Sequence, residues 1–198
     1  MTRLLLASKS QARQAMLRAA GVAFELVDTA CDEEEAKLEL RTEELDAAQL
    51  AAALAKRKAL SAKVDGAALV LGCDQTLELD NGRMLDKPAS RADARAQLET
   101  LSGRTHRLHS AAVIVEGGAA IWSAVQGVSL SVRPLTSAFI ETYLDAECEA
   151  IRWGVGGYRI EGPGVQLFER IEGSHFAILG LPLLPLIEYL RERGLLLR

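Results

Sequence analysis

Ala67-Ala68-Leu69-Val70-Leu71-Gly72-Cys73-Asp74 is an unbroken apolar run that ends in a carboxylate. A strand with one wet face carries a polar residue at every second position, so an uninterrupted run predicts a strand buried on both faces, as in sheets covered by helices. Asp74 then falls at the C-terminal end of that strand, where open α/β sheets place their ligand crevices. A carboxylate taken out of water without a partner is costly, which makes Asp74 the most informative single residue of the chain.

Working outward, Thr76-Leu77-Glu78-Leu79 alternates, Asp80-Asn81-Gly82 marks a tight turn and Arg83-Met84-Leu85 returns, a hairpin in which Asn-Gly supplies the positive φ angles. Lys87-Pro88 closes this hairpin and would return a cation towards Asp74, either as a plain ion pair or as part of a site. On the N-terminal side, Leu4-Leu5-Leu6-Ala7, the turn Ser8-Lys9-Ser10 and a helical pattern through Met16, Leu17 and Ala20, stopped by Gly21, read as strand, turn and helix with Ser10 as the N-cap. A second helix is expected over 46–63, because Leu50 and Leu54 repeat at i, i+4 in an alanine-rich background, and Lys58 continues that row.

Further along, Ser90-Arg91-Ala92-Asp93 opens a helix over 90–101, closed by Ser102-Gly103. Strands near 106–115 and 121–132 flank Gly117-Gly118, a helix covers 137–146, a strand 165–171 and a last helix 182–193. The order suggests an α/β fold with a mixed sheet and no internal repeat, and the length allows a single domain over 1–198 or two closely joined lobes.

The chain has 198 residues, 49% of them apolar and 25% charged, enough to bury roughly 70% of the surface its unfolded form exposes. Its 23 Lys and Arg stand against 27 Asp and Glu, so no broad basic surface is available for polymeric DNA or RNA. Cys31, Cys73 and Cys148 form no CxxC pair and are odd in number, which fits a reducing compartment, and the apolar run before Lys9 is too short for a signal peptide. The longest apolar stretch, 176–187, is short of a membrane span and contains Pro182 and Pro185. A cytoplasmic protein without a membrane partner is expected.

Ser8, Ser10 and Arg13 gather where a strand feeds a helix N-terminus, a place that favours phosphate or carboxylate, although a capping serine beside a solvated arginine gives the same pattern. Asp32-Glu33-Glu34 is either a solvated acidic loop or a source of oxygens for a hard divalent cation. Lys58, on the apolar row of its helix, must snorkel outward or meet an anion. The glycine-dense segments Gly154-Val155-Gly156-Gly157 and Gly162-Pro163-Gly164 match neither the dinucleotide-binding nor the P-loop spacing. The three histidines lack zinc-site spacing, there is no GxSxG elbow, and Cys73 reads as a small buried hydrophobe rather than a nucleophile.

Taken together, these residues resemble the Maf family of nucleoside triphosphate pyrophosphatases over nearly the whole chain. The resemblance is carried by Leu6-Ala7-Ser8-Lys9-Ser10-Gln11-Ala12-Arg13, by Asp32-Glu33, by Leu54-Ala55-Lys56-Arg57-Lys58-Ala59, by Asp74 and by Lys87-Pro88. It continues through Leu101-Ser102-Gly103-Arg104-Thr105-His106, Gly156-Gly157-Tyr158-Arg159-Ile160-Glu161-Gly162, Ile171-Glu172-Gly173-Ser174 and Gly180-Leu181-Pro182. The departures are Gln11-Ala12 where the family has Pro-Arg, and Gly154 where many members have lysine.

The resemblance implies a mixed twisted sheet flanked by helices in two lobes with a central cleft, the Maf and ITPase-like fold, and a homodimer. It implies cleavage of a nucleoside triphosphate to monophosphate and pyrophosphate, with Mg²⁺ or another divalent ion such as Mn²⁺ held by Glu33 and Asp74. Asp74 would then be the general base, with Arg13, Lys58 and Lys87 offsetting phosphate charge. Ser8 would join the substrate site, and specificity would fall to Ala12, Gln75 and Glu161. The Asp74-Gln75 pair and Glu161 look more like the 7-methyl-GTP subgroup than the dTTP/UTP subgroup. A nucleotide-binding regulator of septum formation or cell division with weak or no hydrolysis is the alternative from another class.

Overall fold

The computed structural model describes residues 2–64 and 68–197, apart from the side chains of Cys148 and Ala150. Ala67, which opens the apolar run, and the Cys148 side chain therefore lie outside the described residues. In chain order the elements are β1 (Arg3–Ala7), α1 (Gln11–Ala19), β2 (Glu25–Leu26), α2 (Glu33–Arg41), α3 (Ala47–Leu60), β3 (Ala68–Leu79) and β4 (Met84–Leu85). There follow α4 (Arg91–Leu101), β5 (Thr105–Glu116), β6 (Ala119–Val132), α5 (Ser137–Ile151), β7 (Phe168–Glu172), α6 (His175–Ile178) and α7 (Leu183–Glu192). Single 3-10 turns occupy Val155–Gly157 and Pro163–Leu167.

The strands lie in the order β2-β1-β3-β5-β6-β7, with β4 on the end of β3. β1 runs parallel to β2 and β3, whereas β3–β4 and β6–β7 are antiparallel, so the sheet is mixed as expected. The chain divides into two compact units. The first is Met1–Gln75, His109–Gln126 and Ser174–Arg198, and the second is Thr76–Leu108 and Gly127–Gly173. No helix among the described residues is long and apolar enough to cross a membrane.

In the first unit the alternation of β1 and β3 serves two cores. Leu4, Leu6, Leu69, Leu71 and Cys73 pack with Met16, Leu17, Ile114, Leu186 and Leu190, while Leu5, Ala7 and Val70 pack with Ala51, Ala55, Ala59 and Val113. Burying each of the large side chains contributes about 1.5–3 kcal/mol. The second core is built of small residues, which lets α3 close tightly on β3. A Cβ on Gly72 would stand 2.1 Å from the carbonyl oxygen of Ala55 and 2.9 Å from the amide nitrogen of Ala59, so only glycine permits this approach.

Several boundaries differ from the sequence reading. β3 does not stop at Asp74 but continues through the alternating segment as one strand of 12 residues. The hairpin forms in the expected register, Leu77 opposite Leu85 and Glu78 opposite Met84, yet only Gly82 of its turn has positive φ, at 80°. The carbonyl of Leu79 accepts from Gly82 N at 3.0 Å and its own N–H donates to Arg83 O at 2.8 Å, a three-residue turn ending in a left-handed glycine. α3 ends at Leu60 rather than 63, α5 extends to Ile151, and the segment starting at 165 begins as a 3-10 turn before β7. α2 and α6 are helices that the sequence reading does not contain.

The second unit buries Leu77, Leu98, Leu101, Leu108, Leu130 and Leu144. Within it His106, 1% exposed, meets Tyr158 through its Nε2 at 2.7 Å from the phenol oxygen, and Tyr158 packs edge-on against Phe168. Among the described residues the Nδ1 of His106 meets no partner, and burial pushes the imidazole down to about 4. A group harder to protonate folded than unfolded stabilises the fold above its unfolded value of about 6.5 and loses that contribution as pH falls towards the folded value. Denaturant unfolding followed from about pH 7 to about pH 4 should therefore show a loss on the order of 3 kcal/mol from this residue, and His106→Phe should flatten that part of the pH dependence.

Candidate active site

Parallel pairing of β1 with β3 places Ala7 opposite Gly72, so Ser8 follows level with Cys73 and the α1 N-terminus lies beside the approach to Asp74. Ser10 caps α1, accepting from Arg13 N at 3.4 Å, and Ser8 Oγ accepts from Ser10 N at 3.3 Å. Arg13 is not solvated. Its Nε donates to Gly180 O at 2.8 Å, and its Nη1 donates to Cys73 O at 3.1 Å and Ser8 Oγ at 3.3 Å, so the fork is held against backbone acceptors. Ala12 lies next to it in α1.

Lys58 does not snorkel. The row of Leu50, Leu54 and Lys58 is buried throughout, and Lys58 is 5% exposed. α3 begins in a reciprocal capping box between Asp46 and Gln49 and delivers Lys58 one turn beyond Leu54, where Ala55 and Ala59 face Gly72. Lys58 Nζ donates to Asp74 Oδ1 at 2.9 Å and lies 3.1 Å from Glu33 Oε1. Burial alone would lower the ammonium's pKa, but the charges of Asp74 and Glu33 outweigh burial and the nearby Arg13 charge, and the pKa is raised.

The acidic run divides by role. Asp32 is the N-cap of α2, its Oδ1 accepting from Glu34 N at 3.0 Å and Glu35 N at 3.1 Å, and Glu33, the first residue of that helix, reaches Lys58. Among the described residues no group of three or more His, Cys, Asp and Glu side chains converges on one point, so the meeting place of carboxylates here is a pair. Cys73 is fully buried, and burial pushes its thiol up to about 11 against the opposing pull of Arg13 and Lys58, which agrees with a core role.

Gln75, next on the strand, points to the opposite face. Its Nε2 lies 2.9 Å from Ser110 Oγ, 2.9 Å from Ala177 O and 3.0 Å from Ile178 O, while Ser110 Oγ donates to Ala177 O at 2.6 Å. Three oxygens around one nitrogen fix the amide's orientation, because only the NH₂ end can satisfy them. Gln75 thus offers Oε1, an acceptor, to anything that approaches it.

Sequence reasoning missed this network. Ser110 reads as an ordinary strand residue, and the carbonyls of Ala177, Ile178 and Gly180 leave no side-chain signature, although Gly180-Leu181-Pro182 stands out as a motif. The first unit therefore brings together Ser8, Arg13, Glu33, Lys58 and Asp74.

Lys87 and Glu161 belong to the second unit. Lys87 lines a hollow of about 240 Å³ with Arg83, Asp93, Gln97 and Thr100. Glu161 is exposed and follows Arg159, whose Nε and Nη2 grip the buried Glu147 at 3.0 and 3.1 Å and whose N–H donates to Tyr143 Oη at 3.1 Å. A Cβ on Gly164 would stand 2.2 Å from Arg159 O, so the chain folds closely around Arg159 on both sides of Glu161.

The family described as Maf-like protein matches residues 3–193. A protein of Caulobacter vibrioides named nucleoside triphosphate pyrophosphatase is 47% identical over 196 residues, covering 99% of this chain and 98% of its own. A protein of Rhizobium meliloti named 7-methyl-GTP pyrophosphatase is 44% identical over 192 residues, 96% of each chain. Among solved structures, a HAM1 protein from Coxiella burnetii is similar over 67% of this chain and 73% of its own, at 15% identity and a TM-score of 0.42. The match from Arg3 to Arg193 takes in every site residue considered above, and the chain belongs to the Maf family.

Proposed function

We propose that the protein is a cytoplasmic nucleoside triphosphate pyrophosphatase that hydrolyses 7-methyl-GTP or a related noncanonical purine nucleotide to the monophosphate and pyrophosphate. The observation that carries this reading is the convergence of Glu33 and Asp74 on the buried ammonium of Lys58 in the unit that also fixes the Arg13 fork. Family membership and the names of close relatives support the general activity, and the Rhizobium meliloti relative supports the substrate.

Glu33 and Asp74 fit Mg²⁺, a hard cation held by one or two carboxylates with substrate phosphates and water completing its shell. An ion held by Glu33 and Asp74 would neutralise phosphate oxygens and help to orient them. Oδ1 of Asp74, which meets the Lys58 ammonium, is the oxygen turned to a cation, and Oδ2 is the one that takes a proton from water. The water oxygen bonds to phosphorus as the bond between the α- and β-phosphates breaks, and pyrophosphate departs. Arg13 and Lys58 stabilise charge on the transferring oxygens, and no covalent intermediate is needed.

Lys87 enters this reading as a phosphate contact, and Ala12, Gln75 and Glu161 as base contacts, through their match to the family motifs. A carboxylate at Glu161 can accept from the N1–H and amino group of guanine, more strongly when N7 methylation makes the base cationic. The acceptor that Gln75 presents is consistent with a base that offers donors. A homodimer completes the proposal, and the net charge of −4 argues against polymeric nucleic acid as substrate.

Incubation with Mg²⁺ and 7-methyl-GTP, GTP, dTTP, UTP or CTP, resolving pyrophosphate from phosphate, tests the reading directly. Release of pyrophosphate with fastest turnover of 7-methyl-GTP is expected, whereas preference for dTTP or UTP, or nucleotide binding without turnover, would overturn it. Asp74→Asn should lose turnover by about a hundredfold or more with an unchanged circular-dichroism spectrum. Glu161→Gln should lower the kcat/KM ratio of 7-methyl-GTP over GTP by roughly tenfold, the loss of one charge-assisted pair.

A further inference from the structure

Lys58 differs from the other buried cation of its unit in what holds it. Arg13 is gripped by two backbone carbonyls and a serine hydroxyl. Among the described residues Lys58 Nζ meets carboxylates alone, 2.9 Å from Asp74 Oδ1 and 3.1 Å from Glu33 Oε1. These are also the oxygens that a divalent cation would take, and an ammonium and a divalent cation cannot share one point, since like charges about 3 Å apart repel strongly beside a buried ammonium. We infer that Lys58 is a positioning residue that keeps the metal's place: it holds Glu33 and Asp74 converged in the metal-free protein and leaves them for the substrate's phosphates when the metal enters. The inference rests on the reading of Glu33 and Asp74 as metal ligands.

The local geometry suits such a transfer. The stem of Lys58 rises from the last turn of α3, whose backbone is pinned at Gly72, so the ammonium moves on a flexible chain about a fixed root. Asp74 sits in a strand with 15% of its side chain exposed, whereas the Glu33 side chain, 52% exposed at the first turn of α2, can adjust when the cation changes. Each arrival favours the other. The metal frees the ammonium, the phosphates give the ammonium a new anion, and metal and nucleotide bind with reciprocal cooperativity.

The experiment is titration of the nucleotide-free protein with Mn²⁺, followed by the electron paramagnetic resonance of free Mn²⁺, for wild type and Lys58→Met. Removing the ammonium should tighten Mn²⁺ binding by about tenfold or more. In chelator the variant should melt below wild type, since it leaves two carboxylates facing each other, and Mn²⁺ should raise its melting temperature by more than it raises that of wild type. Equal or weaker Mn²⁺ binding by Lys58→Met would overturn the inference while leaving Glu33 and Asp74 as ligands. Failure of both proteins to bind Mn²⁺ would overturn the ligand assignment and the inference with it. If Lys58→Met does not fold without metal, Lys58→Gln, which keeps a donor and loses the charge, is titrated in its place with the same expectation.

Discussion

An ammonium taken out of water must be met by anions, and the first unit is arranged around that requirement. Lys58 is carried inward because it shares the apolar row of α3, and the helix can lie close enough to β3 only because Gly72 has no side chain and its neighbours are alanines. Once there, the charge needs Asp74, with the more exposed Glu33 beside it, and removal of one member of a buried pair such as Lys58–Asp74 typically costs about 3 to 5 kcal/mol. The position of α2 follows the same logic, since its first residue supplies the second carboxylate and Asp32 caps the helix that presents it.

The Arg13 fork shows a different solution to burying charge. Its Nε and Nη1 are anchored on fixed backbone oxygens of Gly180 and Cys73, and Gln75 with Ser110 fixes two further carbonyls, Ala177 and Ile178, in the same short segment. A guanidinium held this way is a rigid landmark, while an ammonium held by carboxylates alone can be redirected. Phosphoryl transfer makes use of both kinds, one to define where the phosphates lie and one to follow charge as it develops.

Much of this was legible in the sequence where a residue's burial and its chemistry conflict. Asp74 at the end of an apolar run and Lys58 on an apolar helix row each declare such a conflict, and they turn out to resolve it with each other. Ser10 was legible as a cap because capping is local. The acidic run hid α2, because a cap, a helix start and a solvated loop use the same residues and only the tertiary partner Lys58 separates them. Gln75 was legible as a position of interest but not in its orientation, which depends on backbone carbonyls about a hundred positions away in sequence. The hairpin was legible as a turn, while the distribution of positive φ within it was settled by the bonding of Leu79 to its neighbours.

The segmental make-up of the two units bears on the order in which the chain can fold. Both pieces of the second unit, Thr76–Leu108 and Gly127–Gly173, precede Ser174, so during synthesis that unit has its full complement of residues first. The first unit opens the chain but lacks Leu181, Leu183, Leu186 and Leu190 of its core, and the Gly180 carbonyl that holds Arg13, until its final segment leaves the ribosome. The nascent N-terminal strands and helices must therefore wait with apolar surface uncovered, and long-range closure of this kind makes folding slow and exposed to aggregation. Catalytic competence is withheld until Ser174–Arg198 has been synthesised.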